Sequence, residues 1–209
     1  MRPVLFLFLL LSSSCGGSPP LELDYGSVSR GRCSPLWTSW GQAPNERLGQ
    51  QLVRVGDIDG DDVSDVVASV SRIGDPARLR LLSGATGAEI RTFPVAAEQV
   101  FTLTSLGDVD GDRVSDIAMA GQRGELAGLE EMVFVVSGAT GELLWEDVEA
   151  PGVRFVLSTA ARSDVNDDGA AELFFGHIGP DAPVGEVRTL DGTTGSLLST
   201  IEPPQDSLE

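Results

Sequence analysis

One eleven-residue pattern occurs three times in this 209-residue chain, and a second, shorter pattern keeps step with it. Gly56–Val66 (GDIDGDDVSDV) returns as Gly107–Ile117 (GDVDGDRVSDI) and, more loosely, as Ser163–Leu173 (SDVNDDGAAEL). The second pattern is Ser83–Gly87 (SGATG), Ser137–Gly141 (SGATG) and Asp191–Gly195 (DGTTG). The acidic loops begin at 57, 108 and 164, so 51 and 56 residues apart; the glycine turns begin at 83, 137 and 191, 54 apart each time. Two independent patterns sharing one period require a repeated structural unit.

Within each unit the chain alternates or runs apolar in short stretches bounded by turn residues, the signature of strands. The first unit predicts strands near Leu48–Val55, Val63–Ser71, Ala77–Ser83 and Ala88–Val95. The second predicts Gln99–Leu106, Val114–Gly121, Glu131–Ser137 and Glu142–Val148, and the third Val153–Ala161, Ala170–Gly176, Gly185–Leu190 and Ser196–Ile201. With 25 Gly and 12 Pro, the composition agrees with a turn-rich all-β chain. Four strands in about 50 residues is the size of one propeller blade. The expected fold is therefore all-β: a propeller-like arc of about three four-stranded antiparallel blades over 47–98, 99–152 and 153–202, an incomplete β-propeller. Residues 203–209 form a tail. Residues 21–47 fit no repeat, and Trp37 and Trp40 are expected to pack on the first blade.

The acidic loops pose an electrostatic question. Five carboxylates between Asp57 and Asp65 repel one another unless a counter-charge holds them. Positions 1, 3, 5 and 9 carry Asp57, Asp59, Asp61 and Asp65; then Asp108, Asp110, Asp112 and Asp116; then Asp164, Asn166, Asp168 and Glu172. Position 7 can add a backbone carbonyl from Val63, Val114 or Ala170. Six or seven hard oxygens at about 2.4 Å suit Ca²⁺ better than Mg²⁺, which demands a stricter octahedron. An EF-hand would need Glu at position 12 and flanking helices, but position 12 is Ala68, Met119 or Phe175 between strand-like segments. Asp62 at position 6 tolerates a left-handed backbone; Arg113 tolerates it poorly and adds positive charge, so the second loop is expected to bind more weakly than the first.

These residues resemble the FG-GAP repeats of integrin alpha subunits and their bacterial relatives, over about residues 47–202. The most specific part is the D-x-D-x-D-x-x-x-D loop between the first two strands. The FG position reads Leu48-Gly49, Gln99-Val100 and Phe155-Val156, and the GAP position Ala68-Ser69-Val70, Ala120-Gly121-Gln122 and Gly176-His177-Ile178. The resemblance implies three structural calcium loops. The family commonly closes seven blades, whereas three leave an open arc with exposed edges. A free-standing arc, a truncated product and a homo-oligomer completing a ring all remain open.

The N-terminus reads as an export address. Met1-Arg2 precedes an apolar run, Val4–Leu11, too short to span a bilayer as a helix but suited to a secretory signal. Ser12-Ser13-Ser14 then leads to Cys15, and this resembles a bacterial lipoprotein signal in which Cys15 carries the lipid. Residues 1–15 would be the signal and 16–46 a tether and extension. Ordinary secretion, with Cys15 removed or paired to Cys33, is the alternative. The membrane enters only through such an anchor.

A formal charge of −18 argues against nucleic-acid binding. A protein or glycan ligand is the expected partner. In an antiparallel blade successive connections alternate sides, so the acidic loops and glycine turns share one face. A partner would meet the other, formed by Arg72–Pro76, Ala96–Glu98, Gln122–Glu130, Glu149–Gly152 and Ile178–Val184. Catalytic groups are thin: His177 is the single His, and no G-x-S-x-G turn accompanies it. The sequence points to a non-enzymatic, calcium-stabilised binding or adhesion module at the cell surface. The alternative is a truncated fragment or accessory domain of a larger cell-surface enzyme.

Overall fold

The computed structural model describes residues 35–124, 129–148, 154–161, 164–179 and 182–201. The signal segment with Cys15, the tether with Cys33, and the 203–209 tail lie outside the described residues. The chain divides into two compact units, Met1–Thr38 and Ser39–Glu209, and all the described strands belong to the second.

Three four-stranded antiparallel sheets follow one another, none closed into a barrel, each in sequential strand order. The first holds β1 (Arg47–Arg54), β2 (Val66–Arg72), β3 (Asp75–Leu82) and β4 (Glu89–Pro94). The second holds β5 (Gln99–Gly107), β6 (Asp116–Arg123), β7 (Glu130–Val136) and β8 (Leu143–Val148). The third holds β9 (Arg154–Ala161), β10 (Leu173–Gly179), β11 (Ala182–Leu190) and β12 (Leu197–Ile201). This is the expected all-β arc of three blades. No helix, and so no helix long and apolar enough to cross a membrane, occurs among the described residues.

The sheets stack through two apolar layers. Leu79, Leu81 and Phe93 of the first sheet meet Ile117, Met119 and Phe134 of the second. Ala118, Ala120, Val133, Val135 and Trp145 of the second meet Leu173, Phe175 and Leu190 of the third. Strand β6 is therefore apolar on both faces and buried from Asp116 through Gly121, which explains why its sequence runs rather than alternates. The fourth strands also tie each sheet to the next. The Arg91 guanidinium donates through Nη1 to the Ala139 carbonyl, and Trp145 Nε1 donates to the Gly192 carbonyl at 2.7 Å, each acceptor lying in the next glycine turn.

The first sheet's other face is closed by the segment before β1. Arg80, 2% exposed, donates to Glu46 Oε1 at 2.8 Å and to the Trp40 carbonyl at 3.1 Å, with Glu89 Oε2 at 3.3 Å from its Nε. The expected packing of Trp40 is corrected here: the residue is 62% exposed, and its carbonyl makes the contact with Arg80. A buried guanidinium draws a carbonyl and carboxylates more strongly than apolar area draws an indole. Replacing Glu46 with Ala leaves Arg80 the Trp40 carbonyl and, as its remaining carboxylate, the partly exposed Glu89. The expected loss is about 2–3 kcal/mol in urea unfolding, below the about 3–5 kcal/mol typical of breaking a fully buried pair.

Several boundaries differ from expectation. The second strand of each sheet starts two or three residues late, at Val66, Asp116 and Leu173, because the preceding residues close the acidic loop instead. The Arg72–Pro76 connection is a two-residue hairpin at Ile73-Gly74, since Arg72 already pairs with Asp75. Strands likewise extend into Gln122–Glu130 and Ile178–Val184, so the face opposite the acidic loops carries less loop than its sequence suggested. Residues 125–128, 149–153 and 180–181 of those connections lie outside the described residues.

Candidate metal centres

Each acidic loop is built on its own carboxylates. The first residue accepts backbone N–H groups from across the turn: Asp57 from Gly60 (2.7 Å) and Asp62 (2.8 Å), Asp108 from Gly111 (2.7 Å) and Arg113 (2.8 Å), Asp164 from Asp168 (3.0 Å) and Gly169 (2.8 Å). Position 5 closes the loop by accepting from position 7: Asp61 from Val63, Asp112 from Val114, Asp168 from Ala170. Positions 4 and 6 are left-handed in all three loops. They are Gly60 and Asp62 (φ 81°, 67°), Gly111 and Arg113 (86°, 73°), and Asp167 and Gly169 (62°, 91°). Arg113 thus occupies the conformation that its side chain disfavours. In the third loop the glycine has moved from position 4 to position 6, so Gly169 is not the counterpart of Gly60.

Position 9 is the junction. Asp65 and Asp116 are fully buried, and Glu172 is 1% exposed. Asp65 Oδ2 accepts from Ile58 N at 2.7 Å and Asp59 N at 3.3 Å, while its Oδ1 accepts from Gly84 N at 3.0 Å, in the glycine turn. Asp116 repeats this with Val109 (2.7 Å), Asp110 (3.2 Å) and Gly138 (3.0 Å). The acidic loop and glycine turn therefore share a face, as the strand order required, and are bonded to each other. A Cβ on Gly84, Gly138 or Gly192 would lie 2.0 Å from the carbonyl oxygen of Ser64, Ser115 or Ala171. Glycine is needed there for close approach of two backbones.

The third junction is built differently. Glu172 accepts from Val165 N at 2.8 Å and Asn166 N at 3.4 Å. Asp191, which opens the turn where the other copies have Ser, takes Thr193 N, Thr194 N and the Thr194 hydroxyl on Oδ1 and the Asn166 amide on Oδ2. Burial alone would raise the Asp191 carboxyl, but these Thr194 and Thr193 bonds outweigh it and hold the group below its ordinary value. Asp191 was not among the candidate residues; the acid at a Ser position was the available signal.

The predicted ligands converge in part. Ligand atoms of Asp57, Asp59 and Asp61 lie within 4.8 Å of one another, as do those of Asp108, Asp110 and Asp116, and of Asp164, Asp168 and Glu172. Asp65 and Asp112 fall outside these groups. Asn166 turns its amide nitrogen to Asp168 and Asp191, and its oxygen accepts from Asp168 N. Oxygens around one Ca²⁺ at about 2.3–2.6 Å stand at most about 5 Å apart, whereas those around Mg²⁺ at about 2.0–2.1 Å stand at most about 4 Å apart. Each group is close enough for its three carboxylates to share one divalent cation. An oxygen accepting one amide keeps a second lone pair, so loop bonding and metal binding are compatible. At this separation each exposed carboxylate pair repels by about 1 kcal/mol even in water, a cost that a divalent ion reverses. Burial, above all, pushes the Asp116 carboxyl up, against the amide bonds from Val109 and Gly138 that pull it down, so a nearby cation would stabilise its charged form.

No family model matches this chain, and no curated protein matches it.

Proposed function

We propose that this chain is an exported FG-GAP-type module for binding or adhesion, whose three acidic loops take Ca²⁺ to stiffen the sheets. The observation that carries the reading is that in every blade an acidic loop gathers three carboxylates and is hydrogen-bonded to the same blade's glycine turn. An ion gathered there would fix the loop, the turn and the strands they connect. Anchoring through a lipid on Cys15 and a protein or glycan partner on the opposite face complete the proposal. His177 supports a non-enzymatic role. It is 2% exposed, with Nδ1 3.0 Å from Glu186 Oε1 between strands, a packed position rather than an open cleft.

Extracellular calcium modules commonly have dissociation constants of about 10⁻⁴–10⁻³ M. Calcium at about ten times that value adds roughly 1.4 kcal/mol per independent site, so three sites give about 4 kcal/mol. For a domain of this size that corresponds to a melting temperature higher by roughly 8–16 °C in calcium than in EDTA. Thermal unfolding in both conditions, with calorimetric titration of Ca²⁺, tests it. Equal melting temperatures and no binding heat would sink the proposal.

A further inference from the structure

We propose that the outer face of the third sheet joins two copies of this chain, face to face across a two-fold axis. The face uses the same repeat positions that bury the other sheets. Leu79 in β3 and Val133 in β7 are fully buried against the following sheet, while Val187, their counterpart in β11, is 40% exposed. Register places Val187 opposite Gly176 and Ile201, with Phe174 opposite Thr189 on the same face. Ile178 and Ile201 extend the apolar surface, at 41% and 62% exposed. A face made of inter-sheet positions takes another sheet most readily.

Three features name the occupant. The outward face of the first sheet carries Arg78 and Arg80, the latter held by Glu46, so it does not offer the apolar inter-sheet positions that a head-to-tail copy would need. The fourth-strand tie is missing in the third sheet: Arg91 pairs with Leu81 and Trp145 with Val135, but Ser199 pairs with Thr189 and is too short to reach a neighbouring turn. A further blade in the same series would lack its tie, whereas a symmetric packing needs none. Charge agrees. The chain carries −18, yet among the described residues the outer positions of β10, β11 and β12 are uncharged, and Arg154 pairs with Ile178 at the β9 edge. Two copies can therefore meet here without opposing carboxylates, and a single self-complementary patch gives a closed dimer.

Sedimentation velocity of the full chain in calcium, over a concentration series, is expected to show a dimer. Val187→Glu and Val187→Lys should each weaken dimerisation at least about a hundredfold, because like charges would face each other at the centre of the interface. An equimolar mixture of the two should recover the dimer, which also shows that both variants are folded. A wild-type monomer at every concentration, or variants that dimerise as well as wild type, would overturn the proposal. A mixture that stays monomeric would overturn the two-fold arrangement.

Discussion

Replacing Gly138 with Ala is expected to destabilise the protein by about 4 kcal/mol. The new methyl would sit 2.0 Å from the Ser115 carbonyl oxygen, a contact with backbone on both sides and no rotamer to relieve it. Relief requires separating the glycine turn from the acidic loop, which also breaks the Gly138 N–H bond to Asp116. Overpacking ordinarily costs about 1–3 kcal/mol, and the lost buried bond adds to that. Gly60→Ala is the internal contrast. That glycine is left-handed at φ 81°, but nothing lies within 4 Å of an added Cβ, so its cost is only the conformational one of about 1–2 kcal/mol. Urea midpoints of the two variants, measured in EDTA, separate close approach from backbone conformation without involving metal. Similar losses for both would refute the distinction.

Removing the Asp116 carboxylate should cost about 3–5 kcal/mol. Asp116→Ala leaves the Val109, Asp110 and Gly138 amides without their acceptor at a buried site. Asp116→Asn keeps the shape and one acceptor oxygen but removes the charge. Because burial raises the Asp116 pKa, its protonation favours the metal-free fold, and that contribution fades as pH rises through the raised value. The Asn variant should therefore lose less than Ala in EDTA, by about 2 kcal/mol, while gaining less from calcium than the parent does. Unfolding of the two variants with and without calcium checks both statements; equal losses in EDTA would show that the carboxylate acts by charge alone.

The period of the two repeated patterns already fixed how many sheets there are, and alternation along the antiparallel strands placed acidic loops and glycine turns together. What the sequence left open is physical in each case. Val63, Val114 and Ala170 look like strand residues because they are apolar or small, yet their amides are taken by Asp61, Asp112 and Asp168, and local side-chain bonding outcompetes the ladder. Spacing alone made position 9 one metal ligand among several. Its burial and its bond across to the glycine turn depend on residues about twenty positions away. The use of Asp191 in the third junction was hidden for the same reason: Asn166 and Glu172 differ from their counterparts together, and only the fold brings the compensating acid beside them. Trp40 misled because a large aromatic ordinarily signals packing, while a buried Arg80 captured the segment through its backbone.

The second sheet is sandwiched, and that position ranks the amide protons of the whole array. Coupling runs only between nearest neighbours, so unravelling should begin at a free end and travel inward. In native-state hydrogen exchange of the monomer, at concentrations below dimerisation, β12, exposed at all five residues, would surrender its protons to solvent first, and β6 would keep them longest.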